Sequence, residues 1–119
     1  MRRMLIVDDE HDVCECLGDF FTSRGFLVRC AFSGEQALEL ILSGETADVI
    51  ILDIMLPGIS GLEVLRRVKD CCPEAAVMMI TGRTEPEIRE EAATHGAVGL
   101  VTKPFDFSER TWSPVLQPA

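Results

Sequence analysis

Apolar residues recur along the chain in two alternating patterns. Apolar-rich runs at residues 4–7, 26–31, 49–52, 75–80 and 98–102 have the length and composition of strands, and the β-branched run at 49–52 that of a strand buried on both faces. Between them, apolar positions three and four apart mark helices. Val13, Leu17, Phe20 and Phe21 lie on one face of residues 12–24, stopped at Gly25, and Ala37, Leu38, Ile41 and Leu42 belong to a helix that Gly44 ends. Ser33 with Gln36, Ser60 with Glu63, and Thr84 with Glu87 have capping-box spacing, so each pair is expected to open a helix. The helix after Ser60 covers residues 62–68 and gives out near Cys71, Cys72 and Pro73. The next, ending at His95 and Gly96, has a thin apolar face of Ile88, Ala92 and Ala93. Strands alternating with helices predict an α/β fold, a doubly wound five-stranded parallel sheet with right-handed crossovers. After Phe107 the pattern weakens, because Ser113 and Pro114 interrupt any helix within two turns. The last helix is therefore expected to be short or irregular, with residues 1–109 forming the domain and 110–119 an irregular tail or the start of a linker.

Composition narrows this picture. The 119 residues, 47% of them hydrophobic, suffice for one core and leave no room for a second domain. A formal net charge of -9 repels nucleic acid phosphates, so direct nucleic acid binding by this segment is not expected, while cationic or metal-dependent partners are favoured. The five cysteines, Cys14, Cys16, Cys30, Cys71 and Cys72, show no CxxC spacing, and their odd number suits reduced thiols of a cytoplasmic protein better than a disulfide framework or a zinc site. No apolar run approaches the roughly 18 residues of a membrane span, and no membrane partner is expected.

Chemistry gathers at the ends of the runs. Asp8 and Asp9 follow the first, Asp53 the third, Thr81 the fourth and Lys103 the fifth. In a parallel sheet these positions share one edge, where the loops leaving the strands converge. Each residue alone has an ordinary explanation: Asp53 could hold the turn at Pro57 and Gly58, and Lys103 could be its ion-pair partner. Together, carboxylates crowded at one edge require a cation, and an all-oxygen set with open positions suits Mg²⁺. A hydroxyl and an ammonium beside it complete a set able to hold a phosphoryl group. His11 and His95 lie at helix ends and receive no role.

Residues 5–10 (LIVDDE), 51–61 (ILDIMLPGISG), 78–82 (MMITG) and 101–105 (VTKPF) occur in an order that resembles the receiver domain of two-component response regulators, over residues 3 to 109. The resemblance implies a flavodoxin-like fold with strand order 2-1-3-4-5 and a signalling domain rather than an enzyme, one that assists its own phosphorylation and dephosphorylation. It implies Asp53 as phospho-acceptor, with Mg²⁺ held by Asp9 directly, Asp8 mainly through water, Asp53 and the main-chain carbonyl of Met55. Thr81 and Lys103 would bind the phosphoryl oxygens, and the bond between Lys103 and Pro104 would be cis. The implied partners are a sensor histidine kinase or histidine phosphotransfer protein and an output domain or downstream protein. A homodimer through the fourth helix, fifth strand and fifth helix also belongs to the family, and the interrupted last helix argues against it here. Leu100 stands where the family carries an aromatic switch residue, so switching is expected to rely on Thr81 and the loop into the next helix. Other readings fit less well: a flavodoxin-like binding module would need a phosphate-cradling loop rich in Gly, Ser or Thr where Asp8, Asp9 and Glu10 stand. A phosphatase of the haloacid-dehalogenase type needs a second acid where Met55 stands, and a degenerate receiver serving only as a protein-binding module fits poorly with five retained site residues.

Overall fold

The computed structural model describes residues 2–83 and 85–116. Five strands, β1 (Arg3–Val7), β2 (Leu27–Ala31), β3 (Val49–Asp53), β4 (Ala76–Thr81) and β5 (Gly99–Thr102), alternate with α1 (His11–Thr22), α2 (Gly34–Leu42), α3 (Gly61–Cys71), α4 (Pro86–Thr94) and α5 (Glu109–Leu116). The strands form one sheet in the order β2-β1-β3-β4-β5, and every neighbouring pair is parallel. This is the expected doubly wound architecture. No helix among the described residues is long and apolar enough to cross a membrane.

Strand alternation sorts the apolar residues into two layers. Leu5, Val7, Ile50, Leu52, Val77 and Met79 face α2, α3 and α4. Met4, Ile6, Val49, Ile51, Met78 and Ile80 face the opposite way, against Cys14, Leu17 and Phe21 of α1 and Trp112 and Val115 of α5. β3 lies at the centre, and all five of its residues are buried. Its central place holds Asp53 rigidly at the strand end.

Local signals explain most boundaries. Ser33 caps α2 by accepting from Gln36 N at 3.0 Å, and the Gln36 amide returns to Phe32 N at 2.8 Å. Ser60 caps α3 by accepting from Glu63 N at 3.2 Å. Gly25, with φ of 91°, supplies the left-handed turn after α1, where Phe26 N reaches back to Phe21 O. At α4 the cap differs from expectation: the N-cap is Glu85, without a side-chain cap bond, and Pro86 opens the helix. Thr84, the expected cap, lies outside the described residues. Leu42 also departs from its expected apolar role, since it is exposed at the last turn of α2.

α5, expected to be short or irregular, is a short regular helix that takes in residues 110–116 of the expected tail and continues through Ser113 and Pro114. Pro114 has no N–H to give to the carbonyl of Arg110, one turn back. The Ser113 hydroxyl donates to that carbonyl instead, at 3.1 Å. Trp112 and Val115 are fully buried, and Trp112 Nε1 donates to Asp106 O at 2.8 Å. Burial of an indole that also satisfies its N–H outweighs the local penalty of one proline. Residues 117–119 of the expected tail lie outside the described residues.

Candidate phosphoryl-acceptor site

The register of the central strands builds the site. Val7 pairs with Leu52, so Asp8, one residue on, emerges beside Asp53, which itself pairs with Ile80 next to Thr81. Thr81 pairs with Thr102, which delivers Lys103. The helices change sides between β1 and β3, and the crevice that this leaves at the carboxyl ends is where ligand sites form in open α/β sheets.

Asp53 and Asp8 are buried, as is Thr81. Asp53 Oδ1 accepts from Met55 N at 2.9 Å, and its Oδ2 accepts from Lys103 Nζ at 3.1 Å. The same ammonium stands 2.9 Å from Asp8 Oδ2 and 2.9 Å from Glu10 Oε1. Asp8 Oδ2 is buried and accepts no hydrogen bond of good geometry despite this ion pair. The Thr81 hydroxyl oxygen accepts from Arg83 N at 3.0 Å. The peptide bond from Lys103 to Pro104 is cis.

Burial is the largest influence on Asp53 and pushes its carboxyl up to about 6, with the nearby Asp8 charge adding to the rise, while the Met55 N–H and Lys103 oppose it. For Lys103, burial works against the charge, yet contacts with Glu10, Asp8 and Asp53 win and hold its pKa above the ordinary lysine value.

The close approach of α3 to the end of β3 depends on Gly61. A Cβ there would collide with the Asp53 carbonyl oxygen and the Ile54 backbone. Gly61 N donates to Ile54 O at 3.0 Å, fixing the start of α3 against the acceptor loop. Gly58, at φ of 74°, makes the preceding turn, where Glu35 accepts from Ile59 N at 3.2 Å.

Of the residues expected from sequence, Asp8, Asp53 and Lys103 meet directly, with Met55 bound to Asp53 through its N–H and Thr81 on the adjoining strand end. Asp9 is exposed. The carboxylates that converge are Asp8, Glu10 and Asp53, whose oxygens lie within 4.8 Å of one another. Glu10 was not singled out from sequence, although it stands third in the acidic triplet after β1. Three carboxylates facing one ammonium leave two negative charges in excess, and the buried Asp8 Oδ2 shares that ammonium with Glu10 and Asp53. A hard divalent cation with oxygen ligands fits that set.

Comparison with known proteins agrees with this geometry. The response regulator receiver domain model matches residues 4–111. The transcriptional regulatory protein DltR of Streptococcus agalactiae is 36% identical over 107 residues, covering 90% of this chain and 47% of DltR. The chain thus spans about half the length of that relative. Sporulation initiation phosphotransferase F of Bacillus subtilis is 33% identical, covering 90% of this chain and 86% of its own. A response regulator from Burkholderia pseudomallei, solved with a phosphorylated aspartic acid, calcium ion and citrate, superimposes with a TM-score of 0.86 at 26% identity, covering 98% of this chain and 67% of that one. With the family model matching nearly the whole chain and the sheet order and acidic pocket in place, the protein belongs to the response regulator receiver domain family.

Proposed function

We propose that the chain accepts a phosphoryl group on Asp53 from the phosphohistidine of a sensor kinase or phosphotransfer protein, in a reaction that depends on Mg²⁺. The observation that carries this reading is Asp53 itself: a buried carboxylate at the end of the central strand, with one oxygen fixed by a backbone N–H and the other by Lys103. Few structural roles require a carboxylate to be buried there at a raised pKa. The Burkholderia pseudomallei neighbour, with its phosphorylated aspartic acid and calcium ion, supports both the acceptor and the divalent cation.

In the reaction a carboxylate oxygen of Asp53 forms a bond to phosphorus as the P–N bond breaks, and the electron pair of that bond leaves with the donor imidazole, which takes up a proton. Such transfer depends mainly on positioning and on neutralising charge. Lys103 faces the carboxylate before transfer and balances the phosphoryl oxygens afterwards. Thr81 supplies a hydroxyl at the neighbouring strand end. Asp8, Asp9, Asp53 and the Met55 carbonyl would hold Mg²⁺, with Glu10 close enough to join them, and the bound ion would supply charge neutralisation at the transferring group. At neutral pH an acceptor with a pKa near 6 is mostly ionised and ready to attack.

The product would change a protein-binding surface read by an output domain or a downstream protein, in the cytoplasm and without direct contact to nucleic acid by this segment. Switching would pass through Thr81 and the loop into α4, whose only buried residue is Ala92. The test is intact mass after incubation with acetyl phosphate, with and without Mg²⁺, beside Asp53→Asn. The expected result is one added phosphoryl group in the wild type with Mg²⁺ and none in the variant. Equal labelling of both proteins would refute the assignment.

A further inference from the structure

Cys14 on α1 and Cys30 on β2 come from elements that pack against each other, and both side chains belong to the same apolar layer. Cys30 Sγ lies 3.8 Å from the Cys14 carbonyl oxygen, which sets the two side chains next to each other. Cys14 is buried, whereas Cys30 keeps part of its surface open to solvent. An accessible thiol held against an enclosed one is the arrangement in which the first meets an oxidant and the second resolves it. The pair also touches the acidic pocket, because Cys14 Sγ donates to the backbone oxygen of Asp8 at 3.4 Å.

We propose that Cys14 and Cys30 form a peroxide-oxidisable pair whose disulfide ties α1 to β2 and loosens the cation pocket at Asp8. A peroxide would transfer one oxygen to the Cys30 thiolate, giving a sulfenic acid and releasing the reduced peroxide as water or alcohol. The Cys14 sulfur then attacks the Cys30 sulfur, and the S–O bond breaks to release water, so two thiols are oxidised and one peroxide is reduced. The neighbouring Cys14 side chain lowers the Cys30 thiol towards its thiolate, the reactive form. Once the disulfide forms, Cys14 has no S–H to donate to Asp8. The consequence for the pocket rests on the reading that these carboxylates hold Mg²⁺.

The test uses the full chain carrying Cys16→Ser, Cys71→Ser and Cys72→Ser, so that only the pair can react. After treatment with hydrogen peroxide, remaining thiols are blocked and non-reduced peptides are mapped. A peptide pair joined through Cys14 and Cys30 is expected, and it should be absent from a further Cys30→Ser variant. Overoxidised Cys30 with Cys14 still blocked as a free thiol would overturn the proposal. Mg²⁺ titration of the oxidised and reduced forms should show roughly threefold weaker binding after oxidation, the effect of one weak hydrogen bond. Equal affinity in the presence of the linked peptides would overturn the coupling to Asp8. Failure of the reduced protein to bind Mg²⁺ would count against the pocket reading, and the peptide map would still decide the disulfide.

Discussion

Asp53→Asn should make the metal-free protein more stable at neutral pH, and by an amount that the structure sets. The Asp53 carboxyl is buried, and its pKa rises from the ordinary 3.8 to about 6. At about 1.4 kcal/mol per pH unit, ionised Asp53 costs the folded protein about 3 kcal/mol relative to the unfolded chain. Because the folded value is the higher one, the folded protein binds the extra proton. The stability from this group is complete below pH 3.8 and is lost as pH rises through 6. The penalty is about 1.5 kcal/mol at pH 5 and about 3 kcal/mol at pH 7.5. Asparagine keeps an oxygen for the Met55 N–H but gives Lys103 a poorer partner, which offsets the gain by about 1 kcal/mol. The variant should therefore exceed the wild type by about 2 kcal/mol at pH 7.5, with the difference shrinking by about 1.5 kcal/mol at pH 5. Urea unfolding in the presence of a chelator, at both pH values, measures this directly. A variant less stable than the wild type at pH 7.5, or a difference that does not change with pH, would refute the reasoning.

Three further substitutions test other parts of the account. Gly61→Ala should cost at least about 3 kcal/mol by urea unfolding, because its Cβ has no space against the Asp53 carbonyl and the backbone there cannot yield. Lys103→Met leaves Asp8 and Asp53 facing each other without a cation, and should lower stability by about 2–4 kcal/mol in chelator, with Mg²⁺ restoring part of the loss. Trp112→Ala should cost about 3–5 kcal/mol, since it empties a fully buried indole site against Phe21 and Phe105 and frees the Asp106 carbonyl. A thermal midpoint for that variant equal to the wild type would show α5 to be dispensable.

The fold was legible wherever local sequence and tertiary demand agree. Ser33 and Ser60 cap the helices that their spacing predicts, and the β-branched run at residues 49–52 becomes a strand buried on both faces. The site was legible for Asp8, Asp53 and Lys103, because the end of a strand determines which edge of the sheet a residue reaches. Side-chain direction beyond the strand end was not. Asp9 and Glu10 are adjacent, acidic and both exposed, and only the path of the chain into α1 turns Glu10 towards Lys103. The last helix was obscured for a related reason. Ser113 and Pro114 read locally as breakers, while the features that hold the helix together, the Ser113 bond to Arg110 and the burial of Trp112, belong to its own turn geometry and to distant partners. Cys14 and Cys30, separate in sequence, become neighbours only through the packing of α1 on β2.

The central claim is that Asp53 becomes the acyl phosphate, and borohydride trapping tests it most directly. Protein treated with acetyl phosphate and Mg²⁺ is reduced with borohydride, which converts an aspartyl phosphate to homoserine, and is then read by tandem mass spectrometry. The account predicts homoserine at position 53, in an amount matching the phosphoryl group seen by intact mass. Homoserine at Asp8 or Asp9, or a phosphoryl group that resists borohydride, would contradict it.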